Sequence, residues 1–131
     1  MDDRVRKFFD RQVRWVLKRL PRQVRCLLGE VPLRVEDHPS VRLRKELNIH
    51  DRGGLLGHFS GVSRNAGIAL CETAAPAFIT IYRLGIFEAV TDETGRINLN
   101  ELREQIRITV LHELGHYHGL EEEELDEIGY G

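Results

Sequence analysis

His112 and His116 stand four residues apart with Glu113 beside the first, near the end of a stretch with helical periodicity. This HExxH string constrains the chain more than any other feature, because its residues act together only on a helix. At about 100° per residue the two imidazoles lie one above the other on one face. The sequence supplies the helix they need. Asn98 with Glu101 three residues later reads as a capping box. Leu99, Leu102, Ile106, Thr109, Val110 and Leu114 would form its buried side, and Gly119 is placed to end it in a left-handed turn. A helix is therefore predicted from about Leu99 to His118.

Two imidazoles so placed can reach one zinc ion at about 2.0–2.1 Å. Glu113, next round the helix, is poorly set to share the metal but well set to reach a water beside it. Zinc lowers the pKa of a bound water to about 7, and Glu113 would take the proton as general base and pass it to a leaving amine. Two histidines alone make a weak catalytic site, since such sites have three protein ligands and one open position. The extended pattern HExxHxxGxx-ligand needs a chain reversal three residues after the second histidine. Gly119 is there, and Glu122 falls at the ligand position. Glu121, Glu123, Glu124, Asp126 and Glu127 are competing acids, and most of that run reads as solvated. His118 lies about 200° round from His116 and points away. His38, His50 and His58 have no spacing pattern and read as surface or turn residues.

The 131 residues suffice for one compact domain and not two. A net charge of −2 is too small to argue for a nucleic-acid partner. No apolar run reaches the roughly 18–20 residues of a membrane span, and MDDRVRKFF lacks the apolar core of a signal peptide. The expected location is the cytoplasm. Cys26 and Cys71 are expected to be buried thiols rather than a disulfide.

Residues 4–19 place Val5, Phe8, Phe9, Val13, Val16 and Leu17 on one stripe, with Trp15 and Leu20 at its edge and arginines opposite, which predicts an amphipathic helix. Pro21 ends it or opens a short second helix to about Leu28, stopped by Gly29. Residues 31–36 suit a strand, DHPS a turn, 40–47 a short helix and DRGG a loop. Strands are predicted at Leu55–Val62, at Ile68–Cys71 and, most strongly, at 77–83, AFITIYR, with Gly85 breaking or bulging the run before IFEAV. DETG reads as a turn, and a short helix is expected from about Glu122 to Ile128. Helices at both ends and a strand cluster between them suggest an α+β fold.

At its C-terminal motif the sequence resembles the minimal, single-domain bacterial zincin-like metallopeptidases. HELGHYHGLEEEELDEIGY carries that resemblance, with Glu127, Ile128, Gly129 and Tyr130 as the closing Glu-x-Gly-aromatic pattern. LPRQVRCLLGEVPLRVEDHPS, LLGHFSGVS and FITIYR precede it in the family's order. The resemblance implies a zincin-like α+β fold, a small mixed sheet packed on the motif helix. It implies one zinc held by His112, His116 and Glu122, with Glu113 as base. The family's third ligand is commonly aspartate, so glutamate at 122 is a departure. No methionine turn of the larger metzincins follows. The implied partner is a peptide or protein substrate, paired as an extended chain with an edge strand; AFITIYR and Leu55–Val62 are the candidates.

Two other functions compete. A metal-dependent endoribonuclease would use the basic N-terminal segment, Arg4, Arg6, Lys7, Arg11, Arg14, Lys18, Arg19, Arg22 and Arg25, to meet phosphates. Glu113 and the acid at 122 argue against it, and those cations read first as a solvated helix face. A non-catalytic metal-binding interaction module is the third possibility. The sequence leaves the oligomeric state open.

Overall fold

The fold is described from a computed structural model for residues 1–61 and 77–117. The strand expected at Ile68–Cys71 and the helix expected at Glu122–Ile128 fall outside the described residues, as do Cys71, His118, Gly119 and the acidic run.

Helix α1 spans Asp3–Lys18 and begins where the Asp2 side chain accepts a hydrogen bond from the Arg4 amide. The stripe predicted from the sequence packs inward through Phe9, Val13 and Val16, each no more than 4% exposed. Val5 is the exception, exposed at the first turn. Helix α2, Arg22–Glu30, follows Pro21 directly and runs through Gly29. The expected glycine stop is thus corrected. Val31 ends the helix instead, fully buried and donating its amide to the Leu27 carbonyl at 3.0 Å. Its burial, and no left-handed turn, sets the exit. Cys26 on this helix is exposed, contrary to the expected buried thiol.

Strand β1, Leu33–Glu36, leads into helix α3, Val41–Glu46, whose first turn is capped by Ser40 Oγ accepting from the Leu43 amide at 3.1 Å. Strands β2, Gly57–Ser60, and β3, Phe78–Tyr82, complete a three-stranded mixed sheet of order β1-β3-β2. β1 pairs parallel to β3 with Leu33 opposite Ile79, and β2 pairs antiparallel with Gly57 opposite Ile81. AFITIYR is therefore the central strand, paired on both sides. Among the described residues β2 is an edge.

The chain then turns from β3 straight into helix α4, Arg83–Val90, where the sequence suggested a broken strand. Gly85 is the reason it reads both ways. A Cβ there would stand 2.3 Å from the Leu55 carbonyl oxygen, so the glycine admits the 53–57 segment against the helix rather than bulging a strand. Ile86 and Val90, one helical turn apart, are buried, and Phe87 meets Phe9 edge-on at 5.2 Å. The DETG turn forms as expected, with Gly95 at φ +81° and Asp92 Oδ1 accepting from the Thr94 and Arg96 amides.

Helix α5, Leu99–Tyr117, carries the HExxH string. Asn98 Oδ1 accepts from the Glu101 amide at 3.1 Å, the forward half of the capping box. Leu102, Ile106, Val110 and Leu114 are at most 1% exposed, while Leu99 is exposed at the first turn rather than buried. The helix packs on the sheet, α1 and α4 together, so the core runs along its length. Burying each of those branched side chains contributes roughly 1.5–3 kcal/mol over leaving it in water. The architecture is α+β, a small mixed sheet on the motif helix. A paired network ties its far side: Asp37, just past β1, accepts from Arg6 of α1 and from Arg83 of α4, and Arg83 also grips Asp10.

Candidate metal centre

The last turns of α5 bring three chemistry-bearing side chains together. His116 Nε2 lies 3.1 Å from His112 Nε2, and the ring centroids are 4.7 Å apart with their planes at 84°. Glu113 Oε1 is 3.8 Å from His116 Nε2. One ligand atom from each of the three lies within 4.8 Å of the others, close enough to hold a metal ion.

The donor chemistry fits such an ion. Two nitrogens each about 2.05 Å from one zinc at a tetrahedral angle stand about 3.3 Å apart. The 3.1 Å separation is close to that spacing. The neighbours explain why these rings converge. Leu111 and Leu114 are buried and fix the helix in rotation, so His112 and His116 emerge half-buried along its open edge. Glu113 is only 6% exposed. A carboxylate that deep needs charged or hydrogen-bonding company.

These residues face a cleft of about 430 Å³, within the roughly 300–1,000 Å³ usual for small-ligand sites. One wall is α5 through Gln105, Thr109 and the two histidines; the other is the 54–57 segment entering β2. Gly57 sets how closely the walls meet. A Cβ on it would come within 2.7 Å of Thr109 Cγ2 and 3.2 Å of Glu113 Cγ. His58, taken from the sequence as a surface or turn residue, is instead half-buried at this cleft, with Ser60 Oγ 3.2 Å from its Nδ1. Burial, reinforced by His116, pushes its pKa below the usual histidine value despite an opposing pull from Glu46. Its ring is thus neutral near pH 7. Tyr82, at the end of β3, has its phenol pushed up to about 12 by burial and by the charges of Glu36 and Glu113, and keeps its proton.

The structure therefore brings together His112, Glu113 and His116, three of the four site residues expected from the sequence. Glu122, the fourth, lies outside the described residues. The cleft roles of Gly57, Thr109 and His58 are not read from the sequence, although Thr109 is buried on the helix as expected. The LLGHF stretch gave only a strand pattern, and nothing local in it announces the helix it packs against. His38 and His50 lie away from the cleft. Of the N-terminal cations, Arg6 is occupied by Asp3 and Asp37. No helix among the described residues is long and apolar enough to cross a membrane.

A model of the family described as zincin-like metallopeptidase matches residues 28–131 of the chain. No curated protein matches it.

Proposed function

The chain belongs to the zincin-like metallopeptidase family, and from that premise we propose that it is a single-domain zinc-dependent peptidase. His112 and His116 would hold the ion, Glu122 would complete the ligand set, and Glu113 would act as general base. The observation that carries this reading is the pair of Nε2 atoms at 3.1 Å with the Glu113 carboxylate beside them.

Zinc held there would supply Lewis acidity toward water and toward a peptide carbonyl. The chain's own residues do the rest. Glu113 Oε1 takes the proton of a water entering the cleft and returns it to the nitrogen of the leaving amine. Its burial keeps it in place between those two steps. The wall of β2 would orient the substrate: an edge strand among the described residues, it would pair its main-chain groups with an extended peptide and so fix the scissile bond along the cleft. Central β3 has no such free side, so of the two candidate edges β2 is the one that fits. A cleft of about 430 Å³ suits a short or flexible peptide better than a folded protein.

The test is incubation of the purified protein with a mixture of unstructured peptides, read by mass spectrometry. Cleavage should stop with a chelator, return with zinc, and be absent in Glu113→Gln while that variant stays folded. A Glu113→Gln variant that cleaves like wild type would refute the assignment of the base. Unfolding of that variant would instead favour a metal held for structure alone.

A further inference from the structure

On roughly the opposite side of α5 from the histidines, Asn100, Arg103, Glu104 and Arg107 form a stripe against the end of α1. Between the two helices lies a second cavity of about 170 Å³. Val16 and Leu20, both nearly fully buried, form its floor, and Trp15 its wall. The Arg19 guanidinium carbon is 3.7 Å from the Trp15 ring centroid and that of Arg103 is 3.8 Å from the same point. Two positive charges are thus collected on one indole.

Each is held in place by a single further bond. Arg103 Nε donates to Gln12 Oε1 at 2.9 Å, and Arg19 Nη1 donates to the Trp15 carbonyl at 2.9 Å. Gln12 is itself buried. Among the described residues neither guanidinium has a carboxylate partner. The one acid at the cavity, Glu104, is already engaged by Arg107 through two hydrogen bonds, at 2.6 and 3.0 Å. Stacking on the indole favours each cation separately, but their mutual repulsion is left without a counter-charge.

We propose that this cavity binds a small ligand bearing a phosphate group, held by Arg19 and Arg103. Guanidinium forks pair two-fold with oxyanions. A carboxylate can bridge two guanidiniums, as Asp37 does between Arg6 and Arg83, but it brings a single negative charge, whereas a phosphate brings more charge and a third oxygen. The charge of a phosphate also balances two cations. The volume, below that of a usual ligand cleft, limits the ligand to a small molecule. The site lies apart from the metal centre and does not depend on it.

Trp15 is the only tryptophan in the chain, so its fluorescence reports this cavity directly. Pyrophosphate would be titrated into the full chain at constant ionic strength, with citrate and sodium chloride as comparisons and calorimetry as a second readout. A saturable response to pyrophosphate is expected. It should weaken about tenfold or more in Arg19→Gln and in Arg103→Gln, and stay as in wild type for Arg25→Gln, an exposed position on α2. Calorimetry keeps the comparison valid where a substitution changes the indole's own emission. Circular dichroism and melting would show that the variants fold. A response no different from sodium chloride, one unaffected by both substitutions, or tighter binding of citrate would overturn the proposal.

Discussion

Gly57→Ala tests how the sheet positions the motif helix. The new Cβ would stand 2.7 Å from Thr109 Cγ2, 3.2 Å from Glu113 Cγ and 3.3 Å from the Thr80 carbonyl oxygen. Carbon atoms rest at about 3.5–4.0 Å, so the Thr109 methyl must retreat by about 0.8 Å or more. It cannot do so by rotating, because Thr109 Oγ1 donates to the Gln105 carbonyl at 2.7 Å and is thereby fixed. Strand β2 or helix α5 must move instead. Overpacking of this kind costs about 1–3 kcal/mol, read in urea unfolding and as a melting temperature several degrees lower. Activity should fall further than stability, on the order of 100-fold, because displacement of a catalytic group by a fraction of an ångström to an ångström is felt strongly. Thr109→Ser removes the offending methyl and keeps the hydroxyl. Combined with Gly57→Ala it should recover most of the lost stability. A Gly57→Ala protein as stable as wild type, or a double variant no better than the single one, would refute this account of the contact.

Asp37→Asn should destabilise the fold at pH 7. Hydrogen bonds from Arg6 first and Arg83 next hold the Asp37 carboxyl down, at about 2 against 3.8. At 1.36 kcal/mol per unit that shift is roughly 2 kcal/mol, and the partial exposure of Arg6 reduces it to about 1 kcal/mol. The folded pKa lies below the unfolded one, so this contribution is complete above the usual carboxylate range and is lost as pH falls from about 4 to about 2. Unfolding measured across that window should show the gap between variant and wild type closing; a gap independent of pH would contradict it. Phe9→Ala removes a ring that is fully buried against Phe87 and should cost about 3–5 kcal/mol in denaturant unfolding. A cost below about 1 kcal/mol would mean that this end of the core is not close-packed.

What the sequence revealed and what it hid follow from the range of the forces involved. The motif helix was legible because its signals are local: Asn98 caps it, Leu102, Ile106 and Leu114 recur at helical spacing, and the two histidines lie one turn apart. Helix α1 and strand β3 were legible for the same reason. The glycines were not. Gly29 sits within a helix that Val31 ends by being buried, and Gly85 sits within α4 because the Leu55 carbonyl presses on it. For Gly85 the deciding neighbour is remote in sequence, and for Gly29 the burial of Val31 decides, so local rules read both as breaks. The same holds at the cleft. Gly57 and His58 matter because of what α5 places beside them, and only the β2–β3 pairing brings them there.

In the proposed function the two converging imidazoles of α5 hold one divalent ion. The most direct test is the zinc content of purified protein after dialysis, measured per chain by mass spectrometry for wild type, His112→Ala, His116→Ala and Glu122→Ala, with folding checked by circular dichroism. One equivalent is expected in wild type, with loss of tight binding in each folded variant. Wild-type protein that retains no zinc, or folded His112→Ala and His116→Ala proteins that retain a full equivalent, would contradict the claim.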